Sequence, residues 1–461
     1  MTQLYLLDDS YQFTDDDSAN LTVEHVSSGN RWTFNQDGTF EAPATSPEST
    51  DPADVNGLRF LRADDDPVAV INNTSVGDVV IVEPGNRFDV TETLTPNAGV
   101  AIVNFGAYSN DPANRNVTFL KTFDGTLLKY RNNYLFGLTF HGNHPVNGYS
   151  GDVLAANPDG HVEGPGIERC LVFGGGRHGI DAGEKTHFSI RDSRIRRHGA
   201  WGLNVQRSGT GGGELAHLSI GGSTAIAKNG AGAIRLNDAA GHDCYVNANV
   251  ESNGGPGVKV VDWDRTLHLA GKYNDNDYSA IEIDVTAAVN VIEISGQLRD
   301  NNKAGTSDTG RRLAELRVSG AANGLAPLTL RGASLSAPNG HSDDLVAVTT
   351  PDPVTLHATG TDFATDGVAS AVAGGGDTAL SAIGTTGLAA ADVTDCDGVL
   401  VKGRQVVDLP TGGARYQGLR SAEPHAPSGS GDVYLDDGTN TADGNPHERL
   451  DEPASATWVE L

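Results

Sequence analysis

Arginine is concentrated in one short stretch of this chain, residues 191–202, which read RDSRIRRHGAWG. A guanidinium group binds a carboxylate or a sulfate through two parallel hydrogen bonds, and an aromatic ring stacks on the C–H face of a sugar. These residue types side by side predict a binding site for an acidic or sulfated glycan. The residues that would form it are Arg194, Arg196, Arg197, His198 and Trp201.

The same cations have a second interpretation, which is internal charge balance. Asp181, Glu184 and Asp192 are close enough in the sequence to stand on the same or neighbouring turns of the chain. The sequence leaves both interpretations open, because it does not distinguish an arginine that neutralises an acid from one that binds a ligand.

Carboxylates are the other candidates for chemistry. A glycoside hydrolase needs two of them roughly 5 to 9 Å apart across a cleft. The chain has 60 acidic residues, so the presence of suitable carboxylates does not distinguish an enzyme from a protein with an acidic surface. The sequence assigns no catalytic residue. The carboxylates to consider first are Asp181, Glu184, Asp262 and Asp264.

Histidine and cysteine show no metal-binding pattern. The histidines form neither an HExxH nor an HxH motif, and Cys170, Cys244 and Cys396 are widely spaced with no CxxC pair. We therefore expect no cofactor, no transition-metal site and no disulfide framework. Any bound ions would be K⁺, Na⁺, Mg²⁺ or Ca²⁺ on the acidic surface.

The charge balance is strongly acidic, with 60 Asp and Glu against 32 Lys and Arg and a formal net charge of -28. Acid excess with arginine preferred over lysine suggests a protein that stays hydrated in concentrated salt, where surface charges hardly repel. We interpret the chain as halophilic, and an acidic mesophilic surface is the alternative. A nucleic-acid ligand is disfavoured, because phosphate binding needs a basic face.

No segment predicts membrane insertion or export. No apolar run approaches the ~20 residues that a membrane-spanning helix requires. The amino terminus, MTQLYLLDDSYQFTDDD, has no basic region before its short apolar patch. It therefore lacks the features of a secretory signal, and we expect no signal peptide.

The elements that must position these side chains are repeats. The segments HGIDA, WGLNV, GAIRL, PGVKV and SAIEI recur about every 23 residues, with one longer step that contains the glycine-rich SGTGGGEL. Apolar and polar residues alternate in each, as in a strand with one buried and one solvated face. The pattern predicts a β-solenoid in which each coil buries its apolar face on the next. The inward residues would be Ile180, Leu203, Ile234, Val258 and Ile281.

Several segments resemble rungs of the right-handed parallel β-helices of the pectate-lyase-like superfamily. They are CLVFGGGRHGIDA, IAKNGAGAIRL, VESNGGPGVKVVD and the stretch GDVVIVEPGNRFDVTETLTPNAGVAIVNFGA at residues 77–107. The resemblance implies an all-β fold with a right-handed parallel β-helix over residues 67–385. It implies little about function, since this fold hosts lyases, hydrolases, epimerases and viral spikes.

The two ends predict smaller modules. Residues 1–66 are interpreted as an N-terminal β module and linker, residues 386–420 as the end or cap of the solenoid, and residues 421–461 as a C-terminal β segment. The last segment resembles the closing segments of fibre and spike proteins of tailed viruses, including haloarchaeal ones, and a generic hairpin with an Asp-Gly turn is the alternative. The residues that carry the likeness are Tyr434, Asp436, Asp437, Gly438, Asn440 and Trp458.

Together the resemblances imply a structural adhesin of a haloarchaeal tailed virus. It would be a tail fibre or spike on the tail or capsid surface of the virion, assembled in the host cytoplasm. The expected partners are further copies in a homotrimer, other virion proteins through residues 1–66, and a host envelope glycan or S-layer glycoprotein. Neither nucleic-acid binding nor membrane insertion is expected.

Two other functions stay open. One is a polysaccharide lyase or glycoside hydrolase that acts on an acidic surface glycan. Lyases of the resembled superfamily use acidic Ca²⁺ ligands with a nearby arginine or lysine as base. Asp262, Asp264 and Arg265 combine these groups, and a plain exposed turn explains the same residues equally well. The other is a cell-encoded β-helix surface protein, which the lack of a signal peptide disfavours.

Overall fold

The computed structural model describes residues 57–402, with the backbone alone for residues 398–402, and the backbone of short strands nearer both ends. Within residues 57–402 it does not describe residues 106–117, 157–165, 184–186, 207–216, 239–242, 264–265, 286–290, 305–312, 321–326, 351–353, 376–377, 389–391 and 397.

The chain winds into a parallel β-helix with three sheets. Along a typical coil a strand of sheet 1 is followed by one of sheet 2 and then by one of sheet 3, and strands pair in parallel with their counterparts in the next coil. Sheets 1 and 2 join into one 22-stranded sheet, and sheet 3 has 11 strands. The predicted all-β parallel β-helix is confirmed.

The strands of sheet 1 are Leu58–Leu61, Val79–Val82, Ala101–Val103, Tyr134–Phe136, Gly166–Glu168, His187–Arg191, His217–Gly221, Leu328–Arg331, Val354–Thr359, Thr378–Ile383 and Gly398–Lys402. Those of sheet 2 are Phe88–Val90, Phe119–Lys121, Thr139–His141, Leu171–Phe173, Arg194–Arg196, Ala225–Ala227, Ser334–Ser336 and Asp362–Ala364. Three longer strands bend across both sheets: Asp243–Glu251, Thr266–Asn274 and Val291–Arg299. Sheet 3 contains Leu128–Tyr130, Leu154–Ala156, Ile180–Asp181, Trp201–Gln206, Gly232–Asp238, Val258–Trp263, Ile281–Val285, Ala314–Gly320, Asp344–Val348, Ser370–Ala373 and Val393–Thr394.

The predicted repeat register is confirmed in sheet 3. The five inward residues pair in order, from Ile180 through Leu203, Ile234 and Val258 to Ile281. All are fully buried in one continuous core. The coils differ in length, but the register holds because each inward column must keep its apolar side chains out of water.

The three long strands turn the corner between sheets 1 and 2 without a loop. At the bend Ala248 pairs with Gly271, and Gly271 pairs with Gly296. Both glycines have positive φ, and a Cβ on either would lie 2.3 Å from a carbonyl oxygen of the preceding coil. Only glycine fits at these two corners.

The two helices in the described part are short and lie in connections. Pro67–Asn72 begins after Asp66, whose side chain accepts a hydrogen bond from the backbone N–H of Val68 at 3.0 Å. His144–Asn147 is a single turn between sheets 2 and 3. No described helix has the length and apolar character needed to cross a membrane.

A small sheet lies in the sequence before the β-helix and another lies after it. The first has the strands Gln3–Tyr5, Tyr11–Asp15, Leu21–His25, Asn30–Phe34 and Phe40–Glu41, and the second has Leu419–Arg420, Val433–Asp436, His447–Leu450 and Thr457–Glu460. The stacked strands between them run from Leu58 to Lys402, past residues 67 and 385. The division into domains stays a prediction, and the side chains behind the fibre-like resemblance lie outside the described residues.

Hydrogen-bonded side chains form a buried column at the turn between sheets 2 and 3. Asn229, Asn253 and Asn276 each donate from Nδ2 to the side-chain oxygen of the next asparagine, at 2.9, 2.8 and 2.7 Å. Each of those oxygens also accepts the backbone N–H of the preceding member. We call the column the asparagine ladder; its members are His198, Asn229, Asn253, Asn276, Asn301 and Glu315.

Candidate functional site

The arginines of the strand Arg194–Arg196 point outward from sheet 2, because Ile195 between them is fully buried. Arg196 lies between Phe173 of the preceding coil and Ala227 of the following coil. Arg194 has an alanine, Ala225, at the same place in the following coil. The short alanine side chains leave space on that side of both guanidinium groups.

Phe173 holds two guanidinium groups at the surface. Cζ of Arg196 lies 5.7 Å from the centroid of its ring, and Cζ of Arg197 lies 5.6 Å from it. Arg197 reaches the ring from the turn after the strand, where its backbone φ is 58°. A cation is attracted to the face of an aromatic ring, so the ring fixes the position of both charges.

Among the described residues, no acid compensates the charge of Arg196. Burial lowers its pKa, and the neighbouring cations Arg197 and Arg194 lower it further. Its Nε is buried and has no hydrogen-bond partner among the described residues. A buried donor without an acceptor carries a free-energy penalty that an anionic ligand would remove.

A further arginine lies at the turn between sheets 1 and 2 in the preceding coil. Cζ of Arg169 is 5.5 Å from the ring centroid of Phe136, which repeats the arrangement at Phe173. We call this surface the arginine face. Its members are Arg169, Arg194, Arg196, Arg197, Phe136 and Phe173.

The described acids near Arg196 and Arg197 are engaged with other residues or lie at the edge of the arginine face. Asp181 pairs with Arg177, with 3.4 Å between Oδ2 and Nη2. Asp192 accepts two hydrogen bonds from Ser223, whose backbone N–H is the main cause of its lowered pKa, and Arg191 and Arg169 contribute less. Glu184 lies outside the described residues. Among the residues described, no ion pair is found for Arg196 or Arg197.

His198 is not a surface residue, contrary to the sequence-based expectation for a glycan ligand. It is 3 % exposed, its Nδ1 accepts the backbone N–H of Gly175 at 2.9 Å, and its Nε2 lies 3.2 Å from the carbonyl oxygen of Val172. Burial lowers its pKa to about 3, so the ring is neutral. His198 takes the position that asparagine occupies in the following coils of the asparagine ladder.

Trp201 belongs to a different face from the arginines. It begins a strand of sheet 3, and its ring lies against Gly232 of the next coil, where an added Cβ would be 2.3 Å from Cζ3. Its backbone N–H donates to Nδ1 of His178 at 3.3 Å. The predicted group of five residues therefore divides into a surface trio of arginines, one interior histidine and one tryptophan around the turn.

Sheet 3 carries a second group of polar side chains beside Trp201. Ligand-type atoms of Asp152, His178 and Asp181 lie within 4.8 Å of one another, and we call these residues the Asp–His–Asp cluster. The backbone N–H of His178 donates to Oδ1 of Asp152 at 2.9 Å. Arg177 approaches both carboxylates, with 3.7 Å from its Nε to Asp152 and 3.4 Å from Nη2 to Asp181.

Burial keeps the imidazole of the Asp–His–Asp cluster neutral. Burial lowers the pKa of His178 to about 4; the carboxylate of Asp181 opposes this shift, while Arg177 and Arg235 reinforce it. Burial also raises the pKa of Asp152, against the effects of the His178 N–H and of Arg177. The Lys121 ammonium lies near Asp152, fully buried, where Nζ donates to the carbonyl oxygens of Gly125 and Ser150.

The cluster suits hydrogen bonding better than metal binding. Nδ1 of His178 accepts a backbone N–H, so the proton of the neutral ring lies on Nε2, the nitrogen that a metal would need. The Arg177 guanidinium also stands beside both carboxylates, where a cation would have to bind. The exposed parts are Asp181 and Arg177, with 21 % and 58 % of the side chain accessible, and they can bind sugar hydroxyl or carboxylate groups.

Of the candidate carboxylates, the structure describes the side chain of Asp181 and the backbone of Asp262, and these two lie well apart. Asp181 and the strand Val258–Trp263 are separated by two intervening strands of sheet 3. At about 4.8 Å per strand this is roughly 14 Å, more than a hydrolase pair spans. The backbone of Asp262 lies in that strand at a bulge, opposite Asn237. The side chain of Asp262, Glu184 and Asp264 lie outside the described residues.

Sequence reasoning missed Phe173, Arg169 and the Asp–His–Asp cluster. These residues are distant in sequence from the basic stretch, because residues that are neighbours in space lie one coil apart in the chain. The available signal was the repeat itself. Counting one coil back from Arg196 leads to Phe173, and counting one coil back from Trp201 leads to His178.

Comparisons with known proteins identify no family for this chain. No protein-family model and no curated protein matches it. Among solved structures it is similar to the A-module of the mannuronan C-5 epimerase AlgE6 of Azotobacter vinelandii, at 12% identity and a TM-score of 0.44, covering 78% of this chain and 94% of that one. It is also similar to ORF18 of Geobacillus virus E2, at 14% identity and a TM-score of 0.27, covering 85% of this chain and 64% of that one.

Proposed function

We propose that the protein is a viral spike or tail-fibre adhesin that binds an acidic glycan of the host envelope through the arginine face. The observation that carries this proposal is the pair of guanidinium groups over Phe173, which has no neutralising acid among the described residues. Arg196 adds a buried donor that has no acceptor among the described residues.

The chemistry of the arginine face fits a carboxylate or sulfate group on a sugar. Guanidinium groups bind such anions bidentately, and the aromatic rings beneath them limit their motion, so little side-chain entropy is lost on binding. The net charge of -28 repels a polyanion from most of the surface, which directs it to this face.

The role of an adhesin also fits a rigid scaffold of stacked coils. In a homotrimer, three arginine faces would multiply a weak contact into firm attachment. Residues 1–66 would join the protein to the virion, and the sites would be presented to an envelope glycan or S-layer glycoprotein. These assignments are part of the proposal.

A second candidate function is turnover of the same acidic glycan by a lyase or hydrolase. The Asp–His–Asp cluster favours it, because Asp181 and Arg177 reach solvent one turn away from the arginine face. The neutral His178 carries its proton on Nε2, and its Nδ1 already accepts the backbone N–H of Trp201, so it has no free lone pair with which to remove a proton from a sugar.

Incubation with host envelope glycans in molar salt tests both functions. Retention should occur without new reducing or unsaturated ends, and it should fall about tenfold or more in the double variant Arg196→Ala, Arg197→Ala, which loses two charge-assisted contacts. The matched control is Arg331→Ala on sheet 1, whose Nη1 lies 3.8 Å from Glu293. Undiminished retention by the double variant would exclude the arginine face, and released unsaturated or reducing ends would favour the enzyme.

A further inference from the structure

We propose that the glycan bound by the arginine face continues around the turn between sheets 2 and 3 into a second subsite, which binds an uncharged sugar ring. The subsite lies at the start of sheet 3 and is formed by Trp201, His178, Asp181 and Arg177. This inference rests on the proposed function and defines its ligand more closely. The ligand is an oligosaccharide in which an acidic sugar is followed by an uncharged one.

The turn between the two subsites presents no large side chain at its surface. It consists of His198, Gly199 and Ala200, and the imidazole of His198 is buried. Gly199 is exposed, and so is Gly230 in the following coil. Packing requires both glycines, because an added Cβ would lie 2.3 and 2.4 Å, respectively, from a carbonyl oxygen of the preceding coil. The result is a strip of exposed backbone that a sugar chain can cross without a steric barrier.

Trp201 supplies an aromatic surface beside this strip. Its ring lies against the backbone of Gly232 in the following coil, where an added Cβ would be 2.3 Å from Cζ3 and 2.8 Å from Cε3. This contact fixes the ring, and Trp201 is nevertheless only half-buried. An indole ring that is held in place and still reaches solvent is suited to stack on the C–H face of a sugar.

His178 places a hydrogen-bond donor next to the tryptophan. The backbone N–H of Trp201 donates to Nδ1 of His178 at 3.3 Å, so the proton of the neutral imidazole lies on Nε2. Nε2 has no hydrogen-bond acceptor among the described residues, although His178 is only 8 % exposed. A sugar hydroxyl would supply the acceptor that this donor lacks.

Asp181 places an acceptor on the same side, and its neighbours fix its position. Nδ2 of Asn204, which is 2 % exposed, donates to Oδ1 at 3.2 Å, and Nη2 of Arg177 lies 3.4 Å from Oδ2. A ring nitrogen of His178 and a carboxylate oxygen of Asp181 lie within 4.8 Å of each other. A hydroxyl group donates and accepts hydrogen bonds at once, so it matches such a pair.

The charges of the second subsite are balanced, in contrast to those of the arginine face. Two carboxylates, those of Asp152 and Asp181, and two guanidinium groups, those of Arg177 and Arg235, surround the imidazole of His178. The second subsite therefore lacks the excess of cations that would attract another anion. This balance is the reason to assign it an uncharged sugar rather than a second acidic one.

Calorimetric titration of the full chain in molar KCl with two probes tests the inference. One probe is glucuronic acid, whose single carboxylate can occupy the arginine face alone. The other is the hyaluronan hexasaccharide, in which glucuronate alternates with an uncharged sugar. The hexasaccharide should bind about tenfold or more tightly, because its second contact is made within the complex. In Trp201→Ala its affinity should fall to that of glucuronic acid, whose own affinity should not change.

Tryptophan fluorescence of the parent chain gives a second measurement that needs no destabilising variant. The hexasaccharide should change the emission, and glucuronic acid should not. Trp201→Phe keeps an aromatic ring, so it should bind the hexasaccharide but lose most of the change in emission. The matched control is Tyr245→Ala, which removes an aromatic side chain that is 43 % exposed on the outer side of sheet 1 and should alter neither affinity.

The outcomes separate this inference from the proposed function. Binding of glucuronic acid with no gain for the hexasaccharide, or an equal loss of affinity for both probes in Trp201→Ala, would overturn the second subsite and leave the arginine face intact. A parent chain that binds neither probe would overturn the proposed function and the second subsite together. Circular dichroism of each variant confirms that it is folded.

Discussion

Histidine residues in this protein differ by what their ring nitrogens contact. His198 is an internal hydrogen-bonding residue, with one nitrogen accepting a backbone N–H and the other facing a carbonyl oxygen. His178 uses one nitrogen in the same way but borders an exposed carboxylate and a guanidinium group. His187 and His217 face solvent side by side. The residue type alone distinguishes none of these situations.

Replacement of His198 should separate its internal role from a ligand-binding role. In His198→Ala the buried N–H of Gly175 loses its acceptor, so we expect a loss of about 1 to 3 kcal/mol in the free energy of unfolding. His198→Asn restores a side-chain oxygen of the kind used in the following coils and should recover much of that loss. Urea unfolding in molar KCl measures both. Equal stability of the two variants would contradict this role.

The buried carboxyl of Glu315 should make stability depend on pH. Burial raises its pKa from 4.5 to about 7, against hydrogen bonds from Asn301 and Ser342. The folded state therefore holds a proton that the unfolded state releases, so this contribution is fully present below pH 4.5 and is lost as the pH rises through about 7. The shift corresponds to about 3 kcal/mol.

Glu315→Gln removes this titration. The difference in unfolding free energy between variant and parent should move in favour of the variant by about 3 kcal/mol from pH 4.5 to above pH 7. Urea titrations at several pH values measure it, and the comparison cancels the contributions of the other acids. A difference that stays constant with pH would show that Glu315 does not titrate in this range.

Part of the candidate site could be predicted at the scale of single residues. Arg194, Arg196 and Arg197 lie close together in the sequence, and strand alternation puts the first two on one surface. The placement of His198 could not be predicted, because it depends on Asn229 one coil later, whose side-chain oxygen accepts the N–H of His198. A turn residue is exposed or buried according to its neighbours in the adjacent coils, and the local sequence does not show which residues those neighbours are.

At the scale of the strand, alternation determines which changes the fold tolerates. Val258 is fully buried, while Lys259 points outward and its Nζ lies 3.9 Å from Asp284. Alternation also explains why the sequence predicts the strands of sheet 3 well. The corner between sheets 1 and 2 could not be predicted, because a strand that bends at Gly271 and Gly296 has the same local pattern as two strands joined by a turn.

Substitutions at these neighbouring positions test the register. Val258→Asp should prevent folding, because an unpaired carboxylate in the core costs several kcal/mol, a large part of the stability of a domain. Lys259→Asp exchanges one weak surface ion pair for a repulsion and should cost less than about 1 kcal/mol. Yield of folded protein and circular dichroism compare the two. Similar behaviour of both variants would contradict the assigned register.

The whole molecule combines a rigid stack of coils with a large negative charge. The formal net charge is -28, and parallel register places equivalent outward residues only about 4.8 Å apart along each column. Like charges at this spacing repel when salt is low, and mobile ions screen them when salt is high. The balance between compaction and repulsion therefore depends on the solvent.

We expect the melting temperature to rise steeply from dilute buffer to molar KCl. Screening relieves repulsion within the folded stack more than in the extended unfolded chain, where the acids are farther apart. Differential scanning calorimetry at a series of KCl concentrations measures the effect, and sucrose of equal osmolality controls for exclusion of solutes from the surface. A flat profile in KCl would contradict the halophilic interpretation.

The asparagine ladder has a direction, and its direction has an electrical consequence. Every amide donates toward the carboxyl-terminal end of the stack, from Asn229 through Asn253 and Asn276 to Asn301, so the amide dipoles are aligned head to tail. Their positive end meets the carboxylate of Glu315, which accepts the last N–H at 2.5 Å. The column therefore acts on this acid as the amino terminus of a helix acts on a bound anion, although no helix is present there.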